Sequence, residues 1–74
     1  MRITIKYIGI MDVKIPSRID LPVNTTVDNV LLRLFGDNPE EDNFNVLINE
    51  KVASRSSILS EGDSLLILQV LGGG

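Results

Sequence analysis

The chain has 74 residues, 43% of them hydrophobic, with no Cys and no His. At this length only roughly 60% of the surface of the unfolded chain is buried on folding, so one domain with a thin core is expected; the missing Cys and His remove the disulfide framework, the thiolate nucleophile, the commonest general base and the commonest metal ligand. The net charge of −3 is uneven, with four basic side chains and one acid in residues 1–18 but three and nine in residues 19–74, a basic footprint too thin for a nucleic-acid partner.

Met1, Ile3, Ile5 and Tyr7 alternate with Arg2, Thr4 and Lys6, the period-two pattern of a half-buried strand. Val13, Ile15, Ile19 and Leu21 against Lys14, Arg18 and Asp20 predict its hairpin partner, turned through Gly9 to Asp12. Pro16 cannot donate to a ladder, so this second strand is expected at a sheet edge with a break near the proline. Thr25 or Thr26 then offers an N-cap hydroxyl and Asp28 a first-turn negative charge. Val27, Val30, Leu31, Leu34 and Phe35 recur at helical spacing before Gly36, which predicts one helix over about 26–36, enough to cover one side of a small sheet.

The polar run Asp37-Asn38-Pro39-Glu40-Glu41-Asp42-Asn43 lacks the spacing of a calcium loop and is expected to be a solvated loop, with no metal site. Phe44, Val46 and Ile48 alternate as a third strand, and Asn49-Glu50 turns into a short return strand at Lys51-Val52-Ala53. Gly62-Asp63 leads into Ser64 to Leu71, apolar on both faces as a central strand requires. The order is β-β-α-β-β-β, an α+β pattern in which the first and last strands are expected parallel and adjacent at the sheet centre. The helix should then pack on Ile3, Ile5, Leu65 and Ile67. Residues 1–71 are read as one domain and Gly72, Gly73 and Gly74 as a flexible tail. No apolar run approaches the roughly 18 residues of a membrane span and the N-terminus lacks a signal-peptide pattern, so a cytoplasmic protein without a membrane partner is expected.

With Leu65 and Ile67 on the helix side, Leu66, Leu68 and Val70 point the other way, an interaction patch unless strand twist or the 54–61 loop covers it. Glycines without Cβ can thread a narrow channel and leave the last carbonyl open to attack. A carboxylate is inert until activated, usually by adenylation, after which a thiol, persulfide or amine displaces AMP. Nothing in the chain resembles a phosphate-binding loop, so activation has to come from a partner.

Four segments carry a resemblance: Val46-Leu47-Ile48-Asn49-Glu50-Lys51-Val52, Ser54-Arg55-Ser56, Leu59-Ser60-Glu61-Gly62-Asp63-Ser64-Leu65-Leu66-Ile67 and Leu71-Gly72-Gly73-Gly74. Together with the element order they resemble the ubiquitin-like sulfur-carrier proteins, the ThiS/MoaD group. That resemblance implies a β-grasp (ubiquitin-like) fold, a mixed sheet of four to five strands with one packed helix. It also implies a protein that is not itself an enzyme and binds no cofactor. A ubiquitin-activating-type enzyme would use ATP to adenylate the Gly74 carboxylate, a sulfurtransferase or persulfide donor would convert it to a thiocarboxylate, and an acceptor biosynthetic enzyme would take the sulfur. The thiamine carriers resemble this chain better than the molybdopterin synthase small subunits, which tend to carry prolines where Gln69-Val70-Leu71 stands here. Competing readings are a ubiquitin-like modifier conjugated through Gly74 to lysines, a β-grasp binding module with an inert tail, and an enzyme built on the acidic loop.

Overall fold

The computed structural model describes residues 1–10, 13–36 and 44–69. Its elements are β1 (Arg2–Ile8), β2 (Arg18–Asp20), α1 (Val27–Phe35), β3 (Phe44–Ile48), β4 (Lys51–Ala53) and β5 (Ser64–Gln69). The strands form one sheet in the order β2-β1-β5-β3-β4. β1 and β5 run parallel, with Ile5 opposite Leu65 and Tyr7 opposite Ile67, while every other neighbouring pair is antiparallel. A mixed five-strand sheet with one helix across one face is the β-grasp fold.

Because successive side chains of a strand point to opposite faces, the alternation in β1 and β5 puts Ile3, Ile5, Leu65 and Ile67 on the helix side. They join Val27, Val30 and Leu31 in the core, and none of the seven is more than 6% exposed. Tyr7, Phe35 and Phe44 close one end of this core, their ring centroids 4.5 to 6.4 Å apart in tilted and edge-on arrangements. Leu59, in the connection between β4 and β5, fills the core from another side.

Thr26 is the N-cap: its Oγ1 accepts from Asn29 N–H at 3.3 Å, while the Thr25 hydroxyl donates to the Pro22 carbonyl at 2.7 Å. Two further first-turn amides are taken by the connection after β4, Val27 N–H by the Ser57 carbonyl at 3.0 Å and Asp28 N–H by the Arg55 carbonyl at 2.8 Å. Gly36, at φ 91°, ends the helix in a conformation that side chains with a Cβ avoid, and its N–H donates to the Leu32 carbonyl.

The second strand is shorter than its alternation predicts. Only Arg18–Asp20 pairs with β1, on the sheet edge, and the preceding contact is a single bond from Ile5 N–H to the Ser17 carbonyl. Pro16 stands immediately before that segment without an N–H to give, so the ladder does not extend to Ile15, which packs against the core outside any strand.

Candidate functional site

The face of the sheet opposite α1 is built from register. Val52, Leu47, Leu66 and Lys6 form one row across β4, β3, β5 and β1, and Asn45, Leu68 and Ile8 form the next. Leu66, Leu68 and Leu47 are half-buried, Ile8 is 51% exposed and Val52 89% exposed. The two leucines expected on this face are therefore there, and neither is covered by the helix. Beside Leu68 lies an open groove of about 380 Å³, lined also by Phe44, Leu47, Val52, Ser54 and Arg55.

Ile8, Leu47 and Val52 complete the patch and were not singled out in the sequence. The signal was present for two of them: Leu47 falls between the inward residues Val46 and Ile48, and Ile8 continues the otherwise polar series Arg2, Thr4, Lys6. The patch is flanked toward β2 by charge. Arg2 Nε donates to Asp20 Oδ1 at 3.0 Å, and this hydrogen bond, followed by the opposite charge, lowers the Asp20 carboxyl and raises the Arg2 guanidinium from their ordinary pKa values.

Several residues that carry the family resemblance do structural work instead. Asn49 and Glu50 take φ 52° and 70°, the left-handed pair of a tight hairpin turn. Asn49 donates through Nδ2 to Asp63 Oδ1 at 2.9 Å and accepts from Ser64 N–H at 3.0 Å, while Asp63 Oδ2 accepts from Ser60 N–H at 2.7 Å. These bonds lash the β3–β4 turn to the start of β5. Arg55 pairs its Nε with Asp28 Oδ1 at 3.2 Å, and its buried Nη2 has no hydrogen-bond partner among the described residues. The Asn49 and Asp63 bonds are spent within the fold, whereas Arg55 also lines the groove beside Leu68 on the open face.

The sequence assigns the working carboxylate to Gly74 and the tail to Gly72 and Gly73, and these, with Val70 and the acidic run at 37–43, lie outside the described residues. β5 brings the chain to their threshold. Its last described residue, Gln69, is half-buried on the helix side and accepts through Oε1 from the Tyr7 hydroxyl at 2.6 Å and from Ile10 N–H at 3.2 Å. Among the described residues, no cluster of acidic side chains suits a metal ion and no helix is long and apolar enough to cross a membrane.

No curated protein matches the chain. The crystal structure of SAMP1 from Haloferax volcanii is similar at 27% identity and a TM-score of 0.70, with all of both chains covered. The model of the ThiS family matches residues 5–74, the whole chain but for its first four residues. The chain belongs to the ThiS family, the ubiquitin-like sulfur carriers of the ThiS/MoaD group.

Proposed function

We propose that this protein carries sulfur on the C-terminal carboxylate of Gly74. The observation that supports this reading is the continuity of one strand with two tasks. β5 contributes Leu66 and Leu68 to the open apolar face, and five residues after its end the sequence reaches Gly74 through Gly72 and Gly73. A partner that docks on the leucines thus has the carboxylate within a short tether.

The partner is a ubiquitin-activating-type adenylating enzyme that supplies ATP. A carboxylate oxygen attacks the α-phosphorus and pyrophosphate leaves; the outer sulfur of a persulfide on the sulfurtransferase or other donor then attacks the carbonyl carbon and displaces AMP, giving an acyl disulfide whose S–S bond a second thiol cleaves, releasing the thiocarboxylate and leaving a disulfide on the donor side. The carrier provides docking through Leu66, Leu68 and Val70, and a tail slim enough for a closed site because Gly72 and Gly73 have no Cβ. The resulting thiocarboxylate hands its sulfur to an acceptor biosynthetic enzyme. We place thiamine thiazole ahead of molybdopterin as that acceptor's product, on the absence of proline from Gln69-Val70-Leu71.

Deleting Gly74, or replacing Gly73 with Val, is expected to abolish loading and leave thermal stability unchanged. The measurement is mass spectrometry of the C-terminal peptide after incubation with the activating enzyme, ATP and a sulfur donor, looking for replacement of one oxygen by sulfur. Wild-type protein that stays unloaded where a known carrier loads, or a tail-deleted variant that loads as well as wild type, overturns the reading. Growth of a host lacking the gene settles the acceptor: rescue by added thiamine supports the thiazole assignment, and a molybdenum-enzyme defect without thiamine dependence refutes it.

The ubiquitin-like fold carries a second reading, a modifier joined through Gly74 to lysine amines. It shares the adenylation step and differs in the nucleophile, so isopeptide-linked conjugates in the host, lost on deletion of Gly74, are its distinguishing product.

A further inference from the structure

The two ladders that hold β5 do not end together. Pairing with β3 runs to Gln69, opposite Phe44, whereas pairing with β1 stops one residue earlier, at Leu68 opposite Ile8. At Gln69 the strand has lost its β1 neighbour, and the side chain makes good the loss. Its Oε1 takes two hydrogen bonds, from the Tyr7 hydroxyl in β1 and from Ile10 N–H just beyond it. Gly9 lies directly under this junction: a Cβ there would collide with the Tyr7 hydroxyl and stand 2.6 Å from Gln69 Oε1. The glycine is required for close approach, since its backbone is not in the left-handed region.

We infer that Gln69 is a positioning residue, and that its clasp to Tyr7 and Ile10 across Gly9 fixes the root of the tail relative to the docking face. The inference rests on the reading that a docked partner adenylates Gly74. With Gln69 held, the carboxylate sits at the end of five residues, a reach of at most roughly 17 Å. If the strand frays back to Ile67 the tether grows to seven residues and its starting direction is no longer set. Tether length alone lowers the effective concentration of the carboxylate roughly twofold. Loss of direction adds more, because an ångström of misplacement at a reacting centre costs up to about a hundredfold. The expected fall in kcat for adenylation is about tenfold, between these limits, with no change in KM because the leucines that dock are untouched.

Two variants open the clasp from different sides and one restores it. Gln69→Leu keeps the size and removes the acceptor; Gly9→Ala leaves Gln69 in place and wedges the junction apart; Gln69→Glu returns an acceptor oxygen at the same reach. On the protein alone, amide hydrogen exchange should accelerate roughly tenfold at Leu68 and Gln69 in the first two variants and stay at the wild-type rate at Leu65 and Ile67. ATP–pyrophosphate exchange with the activating enzyme should show the fall in kcat at constant KM for Gln69→Leu and Gly9→Ala, and recovery for Gln69→Glu. Exchange that accelerates uniformly across β5, or kcat and KM that change together, would make the clasp a general stabiliser and overturn its positioning role. Variants that adenylate as fast as wild type refute the clasp and leave the Gly74 reading standing, whereas wild-type protein that is never adenylated refutes that reading and the positioning role with it.

Discussion

The two faces of β5 are almost equally apolar in sequence and have different fates. Leu65 and Ile67 are 2% and 0% exposed beneath α1, whereas Leu66 and Leu68, between and beside them, are half-buried on a face that the helix does not reach. A nine-residue helix covers one side of a five-strand sheet and no more. The buried pair holds the molecule together by removing apolar surface from water. The open pair adds little to that stability and provides a surface whose burial becomes favourable only when another molecule arrives.

That contrast can be broken experimentally, and the largest effect should come from the helix side. Ile67→Ala removes a fully buried side chain from between α1 and the sheet, and should lower unfolding stability by about 2–5 kcal/mol in urea titrations. A loss below about 1 kcal/mol would mean that the core is looser than it looks.

On the open face, changing Leu66 and Leu68 together to Asp should weaken binding to the activating enzyme by about 2 kcal/mol or more, read by calorimetry, with the fold retained. An unfolded double variant would make these leucines core residues, and a folded one that binds normally would move the docking site elsewhere. Thr26→Ala returns to the helix side: it deletes the N-cap acceptor for Asn29 N–H and should cost about 1 kcal/mol of stability.

Glu50→Gly lies at the turn on the open side and should raise stability by up to about 1 kcal/mol, because a residue with a Cβ is held at φ 70°. Partner affinity should not follow it. The smallest effect belongs to Asp20 at the exposed polar margin. Its folded pKa is lowered, first by the hydrogen bond from Arg2 and then by the charge of that residue. Its contribution is therefore present above the unfolded pKa and lost as pH falls through the folded one. Asp20→Asn should lower stability slightly at neutral pH and converge with wild type at acid pH, flattening the acid limb of the profile.

Local patterns in the sequence carried most of the fold. The helix boundaries follow from Thr26, the apolar spacing and Gly36, and the central parallel pair follows from an apolar last strand joined by a helix-bearing crossover. The alternation misled at β2, because Val13 and Ile15 continue the period of Ile19 and Leu21 across a proline that ends the ladder. The candidate site was half legible. Leu66 and Leu68 could be read from β5 alone, but a row such as Val52, Leu47, Leu66 and Lys6 is a property of register between four strands and has no trace in any one of them. The Gln69 contact joins residues 62 positions apart, beyond the reach of any periodicity. Asn49 and Asp63 marked a family before they showed a task, and that task is a hydrogen-bonded lashing of turn to strand.

The strand that completes the sheet, β5, comes after the other four in chain order. β5 lies between β1 and β3, so a chain interrupted before Ser64 lacks the middle of its own sheet and leaves β1 and β3 without their shared neighbour. Synthesis from the N-terminus therefore cannot yield a folded molecule early; closure waits for a pairing such as Thr4 with Ser64 across nearly the full sequence. Chains cut short before Ser64 therefore leave the β5-facing edges of β1 and β3 unpaired and open to proteolysis, so that folding itself discriminates against chains that lack β5.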